Sequence, residues 1–237
     1  MRANSNRVLA LAIVLLAGCA VPRAVLEPVG GQIRILAPAP GFSPATLSRS
    51  WATEGRLDKP GRAVVVDKDG VPALRLTSGS DGFVLARLTR ARLLATPYLS
   101  WAWNMGRHGG TSHPVGLVVG FNGAAPHGAD GDGAMRGWLA TALPRHDRRL
   151  DLVWHATALK RGSFEDRAGQ TGHHYIQRGG RENTASWWLE TADLADLYAR
   201  AWPDDDQGRV GIVFIGIAAQ PAATPAQAHV SGILLSR

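Results

Sequence analysis

Short apolar runs rich in Val, Ile, Leu and Trp recur along the chain, separated by clusters of Gly, Pro and Asp, a pattern that predicts a β-sandwich. Residues 62–68 and 72–78 flank Asp67-Lys68-Asp69-Gly70. Asp and Gly tolerate the positive φ of a tight turn, so this pair reads as a hairpin. Residues 83–90 form a third strand. In 98–104, Leu99, Trp101 and Trp103 alternate with Ser100, Ala102 and Asn104, which sets an aromatic face against a small one. Residues 115–122 and 209–219 are apolar on both faces, as strands in the middle of a covered sheet are. Residues 150–157 and 185–191 add strands bearing Trp, and 228–236 closes the chain. Two short helices interrupt the pattern. Residues 134–143 carry Met135, Trp138, Leu139 and Ala142 at helical spacing, and Asp193 stands where an N-cap would start a helix over 194–202 that Pro203 stops. About ten strands with two minor helices predict an all-β, jelly-roll-like sandwich forming a single domain over 42–237.

The start of the chain follows a different logic. Arg2 and Arg7 form a positive leader, 8–16 an apolar segment and Ala17-Gly18 a small-residue exit, the layout of a secretory signal. The run is too short for a membrane-crossing helix, which needs roughly 20 residues. Leu16-Ala17-Gly18-Cys19 resembles the lipobox of bacterial lipoproteins. That resemblance implies a signal peptide over 1–18, cleavage before Cys19, and palmitate-type acylation of the Cys19 thiol and of the new amino terminus. One acyl chain anchors only marginally and several anchor effectively permanently, so the membrane becomes a partner through Cys19. Pro22, Pro28, Gly30, Gly31, Pro38 and Pro40 make 19–41 read as an extended tether. Ala20 is not the Asp that resembles an inner-membrane retention signal, so the expected location is the cell envelope, on the outer membrane facing the periplasm.

Composition narrows the partners. With 45% hydrophobic and 19% charged residues in 237, the chain can bury a core, and disorder is excluded. Lys and Arg number 26 against 19 Asp and Glu, but the basic residues are scattered, as at Arg87, Arg90, Arg92, Arg145, Arg148, Arg149, Lys160 and Arg161. Without clustering or interleaved aromatics, nucleic acid is not an expected partner. The modest excess is compatible with acidic polysaccharide or anionic lipid, and a solvated basic face is the simpler account. The single Cys excludes an intramolecular disulfide and every metal site that needs two thiolates of one chain.

Eight Trp are the main source of candidate chemistry, because sugar rings stack on exposed indoles, although indoles also fill the gap between two sheets. The candidate ligand residues are Trp101, Trp103, Trp154, Trp187 and Trp188, with His155, Tyr175, Glu190 and Asn104 as polar neighbours in the same strands. Trp187 and Trp188 are adjacent and face opposite ways, so one of them can lie in a groove. The eight His form no compact metal signature. His108 and His113 share a Gly-rich loop and could converge on a metal, but surface histidines are much commoner. Asp130-Gly131-Asp132-Gly133 begins like a calcium loop, yet its twelfth position is Thr141 rather than Glu. No metal or cofactor is therefore expected. G-x-S-x-G is absent, the thiol is spent on lipid, and Glu165-Asp166 and Glu190 with Asp193 read as turn and cap carboxylates, so no catalytic residue is assigned.

The stretch from Trp187 to Tyr198 resembles the W-x-x-E-x-R-[DN]-[VL]-x-x-D-Y segment of a bacterial family, domain-of-unknown-function family 3047. Trp101-Ala102-Trp103, Val153-Trp154, Tyr175 to Gly180 and Ala228 to Ile233 resemble its other landmarks in order, so the likeness spans Trp51 to Leu235. The departures are Ala192 and Leu197 in place of Arg and Asp, the stretch 112–121 where the family carries Asp and Arg, and Gln220-Pro221-Ala222-Ala223-Thr224 in place of an acidic segment. The resemblance implies an exported galactose-binding-like or lectin-like sandwich and no established activity. The expected function is a non-catalytic envelope lipoprotein presenting a binding surface to glycan or a protein partner. The rivals are a glycan-active hydrolase and a structural assembly factor.

Overall fold

A computed structural model describes residues 24–37, 50–57, 61–123, 143–165 and 172–237. The expected signal peptide, Cys19, the Asp130 loop and all but the last residue of the helix over 134–143 lie outside the described residues. Thirteen strands are found among the described residues: β1 (Gln32–Leu36), β2 (Ala52–Gly55), β3 (Ala63–Lys68), β4 (Val71–Thr77), β5 (Phe83–Arg92), β6 (Tyr98–Met105), β7 (Val115–Asn122), β8 (Arg148–His155), β9 (Phe164–Glu165), β10 (His173–Gly179), β11 (Trp187–Asp193), β12 (Gly211–Ala219) and β13 (Gln227–Ser236). One helix, α1 (Leu194–Ala201), follows β11. The strands form two sheets, the first ordered β11-β6-β13-β4-β3 with β1 also on β13, the second β2-β5-β12-β7-β8-β10-β9. This is the all-β sandwich that the alternation predicts.

Local chemistry explains the elements that the sequence makes plain. At the tip of the β3–β4 hairpin Asp69 has φ 58° and Gly70 φ 78°, the two positive values of a type I′ turn, and the Gly70 N–H donates to Asp67 Oδ1 at 2.8 Å. Asp193 caps α1, its carboxylate accepting from the N–H groups of Ala195 and Asp196, and Leu194, Leu197 and Tyr198 turn inward.

The core lies between the sheets. β6 contributes Leu99, Trp101, Trp103 and Met105, β13 contributes Val230, Ile233 and Leu235, and facing them are Leu117, Val119, Phe121, Leu152, Trp154, Ile215 and Ile217. A second apolar cluster covers the outside of the larger sheet, with Ala52, Val84, Ala86, Val118, Leu143, Phe214 and Ala218. That cover is why β7 and β12 are apolar on both faces. Gly120 belongs to the same packing, since a Cβ there would stand 2.0 Å from the Phe214 ring.

The expected tether needs correction. Gln32–Leu36 is a strand antiparallel to β13, with Ile33, Ile35 and Leu36 buried, so the sandwich begins before residue 42. Gly30 and Gly31, with φ 60° and 76°, form the turn entering that strand, and Val29 pairs with Gln32 across it. Gly here supplies a tight turn instead of slack. The sandwich also contains β2 and the two-residue β9, which the pattern does not predict, and a parallel pair, β8 with β10.

Candidate functional site

Most of the expected ligand residues are structural. Trp101, Trp103 and Trp154 are fully buried, packed edge to face with ring centroids 5.3 Å and 5.8 Å apart, and are therefore no part of a ligand surface. They share the inward phase of Leu99, and burying a large aromatic between two sheets outweighs leaving it exposed. Glu190 points inward beside them, its side chain 1% exposed. It accepts hydrogen bonds from Arg178 Nε, from Gln177 Nε2 at 3.1 Å and from Trp103 Nε1 at 3.3 Å. Because Gln177 and Arg178 lie on β10 and Glu190 on β11, the carboxylate ties the edge of one sheet to the other. The Arg178 guanidinium also covers the Trp188 ring at 4.0 Å, which assigns Trp188 to the same anchor. His155 is buried, accepting from the Thr157 N–H at 2.8 Å and lying 3.3 Å from Glu165 through Nε2. Tyr175 packs on Phe164, with Arg200 over both rings. The structure thus corrects the expectation for Trp101, Trp103, Trp154, Glu190 and His155 and leaves Trp187, half-buried on the outer face of the smaller sheet.

The open concavity lies elsewhere. Across the outer face of the larger sheet, between the loop 106–114 and the segment 220–224, runs a groove of about 420 Å³. Its floor is laid by β7, β8 and β10. Gly116 lines the groove where a Cβ would come within 2.7 Å of the Leu152 carbonyl oxygen, so β7 stays bare there and the depression persists. Beside it stands Asp151, its side chain 8% exposed. Arg149 Nε donates to Asp151 Oδ1 at 2.9 Å, and His174 Nε2 lies 3.3 Å from Oδ2. The carboxylate is thereby oriented and its charge compensated.

One wall carries His108 and His113, their rings edge to face at 5.0 Å. His113 is 3% exposed, and its Nδ1 accepts from the Val115 N–H at 3.0 Å. Burial first, and the His108 ring second, push its pKa down to about 3, against the opposing pull of the Val115 and Gln227 backbone. The ring is therefore neutral, and with Nδ1 occupied its proton resides on Nε2. Burial likewise lowers the His108 pKa, aided by Arg181 and His155 and opposed by the Gly106 backbone. A proton on Nε2 and a filled Nδ1 leave His113 no lone pair for a metal. No group of three or more potential ligands among the described residues is arranged to hold one. The lining is otherwise polar at Ser112, Gln220 and Thr224 and apolar at Pro114, Val153 and Ala222, and Asp151 is its one carboxylate among the described residues. Such a surface can accept from and donate to hydroxyls. The Gly-rich loop with His108 and His113, which the sequence singles out for a possible metal, forms one wall here.

No family model matches this sequence, and no curated protein matches it. Among solved structures it is similar to the family 30 carbohydrate-binding module of a cellulosomal cellulase of Clostridium thermocellum, at 12% identity over 86% of this chain and 96% of that one, with a TM-score of 0.42. It is also similar to endoglucanase 3 of family GH12 from Trichoderma harzianum, at 9% identity over 74% and 82% with a TM-score of 0.40. A third similarity is to the mannan-recognising carbohydrate-binding module TmCBM27, at 11% identity over 87% and 98% with a TM-score of 0.32. At these identities and TM-scores the likeness assigns no ligand and no activity to this chain.

Proposed function

We propose that this chain is an envelope lipoprotein, a divergent relative of family 3047, anchored through an acylated Cys19 at the outer membrane, whose sandwich binds a glycan in the groove without turning it over. The observation that supports this reading is a groove of about 420 Å³ whose floor holds Asp151 already oriented by Arg149 and His174 and charge-compensated by Arg149. A carboxylate held this way offers remaining lone pairs to ligand hydroxyls at little reorganisation cost. Gln220, Ser112 and Thr224 add groups that both donate and accept, and the apolar side chains between them suit the C–H faces of a sugar. Hydrolysis would call for a second carboxylate across the bond; Glu190 is engaged between the sheets, and Glu165 is held against His155 and Ser112.

The test is calorimetric titration of the full, acylated protein in detergent with neutral oligosaccharides first selected on a glycan array. Ala223→Trp, which fills the exposed wall, should remove binding and leave the melting temperature unchanged. Unaltered binding in that variant would exclude the groove, and turnover lost on Asp151→Asn would replace a binding module by a hydrolase. For the anchor, Cys19→Ser should end labelling by a fatty-acid analogue. Persistent labelling would refute the lipobox.

A further inference from the structure

The outer face of the smaller sheet carries a row of polar side chains, separate from the groove. Strand register sets Asn104 on β6, His229 on β13 and Arg75 on β4 side by side in one row, with Trp187 of β11 next to Asn104. β11 and β3 stand at opposite ends of this sheet, yet Trp187 Nε1 donates to the Lys68 carbonyl oxygen at 3.1 Å. The sheet therefore curls until its edges meet across its outer face, and the row lies in a trough beneath the indole. Asn104 is only 2% exposed and Ser231 5%, although both belong to the outer face.

Three polar atoms in that row, Asn104 Nδ2, His229 Nδ1 and Arg75 Nε, are buried and have no hydrogen-bond partner among the described residues. Neighbouring Ser231, by contrast, donates to the Pro72 carbonyl oxygen at 2.7 Å. Buried polar groups are mostly paired, so three such atoms side by side on three adjacent strands form one cluster of donors and acceptors open to a ligand group. The charge of the trough is positive. Arg75 and Lys68 face His229, and the Asp69 carboxylate that also lies near is paired with Lys68 at 2.8 Å. Burial lowers the His229 pKa, Lys68 and Arg75 add to that, and the Asn104 backbone and Asp69 oppose it.

We propose that this trough is a second ligand site that takes a carboxylate-bearing sugar, with the acid group on Asn104, Arg75 and His229 and the ring face on the Trp187 indole. The Asn104 and Arg75 N–H groups donate to the carboxylate, and an anion there favours a proton on His229. Stacking on the indole supplies affinity for the ring, and the cationic row selects the acid. Entry requires the indole to leave the Lys68 carbonyl, so Trp187 reports on occupancy.

The experiment titrates the full-length protein with trigalacturonate and with neutral galactotriose, reading Trp fluorescence and affinity. Trigalacturonate is expected to bind about tenfold tighter than the neutral sugar and to weaken about tenfold in Arg75→Gln, with Arg75→Lys retaining most of the binding. Binding should tighten as the pH is lowered, because His229 takes up its proton beside the bound acid group. Ala223→Trp, which blocks the groove on the other sheet, should leave trigalacturonate binding unchanged. Equal binding of acidic and neutral sugars, indifference of trigalacturonate binding to Arg75→Gln and Trp187→Ala, or loss of trigalacturonate binding in Ala223→Trp would each overturn the proposal. Loss of neutral-sugar binding in Ala223→Trp with trigalacturonate binding intact would support both sites at once.

Discussion

His113 carries a pH signature that a denaturation series can read. In the fold burial holds its ring neutral with a pKa of about 3, whereas in the unfolded chain it titrates near the ordinary histidine value. Between those limits the unfolded chain binds a proton that the fold refuses, so the contribution is fully present above the ordinary value and is lost as pH falls toward about 3. The expected slope is on the order of 1 kcal/mol per pH unit, and His113→Gln should flatten the stability profile between about pH 6 and pH 4. Identical slopes in the two proteins would contradict a buried neutral ring. Glu190 tests a different energy. Glu190→Ala leaves the Arg178 guanidinium, 14% exposed, without its carboxylate and should cost about 3–5 kcal/mol in urea unfolding. Replacing Glu190 and Arg178 together by Leu should recover much of that loss; a double variant as unstable as the single one would show that the pair is not what Glu190 supplies. Nothing in the sequence distinguishes this anchoring role from the ligand role expected of Glu190, because Gln177 and Arg178 sit on a strand of the other sheet.

At the scale of elements, the turns were the most legible feature. Asp67-Lys68-Asp69-Gly70 yields the hairpin because the conformational demand is met by the residues themselves. Gly70→Ala should therefore cost about 1–2 kcal/mol, all of it from the left-handed backbone, since a Cβ at Gly70 meets nothing within 4 Å. A thermal melt unchanged from the parent would show that the turn relaxes to another type. Asp193 and α1 were legible for the same reason, a cap acting within its own first turn. β1 was not. Its Ile-x-Ile-Leu core lies in a Pro- and Gly-rich stretch, and only pairing with β13, far along the chain, makes it a strand.

For the molecule as a whole, the indoles divide by location. Trp101→Ala, Trp103→Ala and Trp154→Ala each empty a fully buried volume in one continuous core and should cost about 3–5 kcal/mol in chemical denaturation. Trp187→Ala removes a half-buried ring and one hydrogen bond to a carbonyl, so its cost should be closer to 1 kcal/mol. Equal losses across all four would place Trp187 in the core and remove the trough as a site. By itself the sequence determined the sandwich, the position of most strands, the hairpin turn and the capped helix, because a period of two and the preferences of Asp, Gly and Pro act over a few residues. It also marked Trp187 and Trp188 as facing opposite ways. Which face of each strand is covered, how β8 comes to lie parallel to β10, where Glu190 finds Arg178, and that Trp187 closes on Lys68 were decided only in three dimensions. Alternation tells that a strand has two faces but not what lies over each, and partners 119 residues apart, as Trp187 and Lys68 are, are joined by the curl of a sheet that no local pattern encodes.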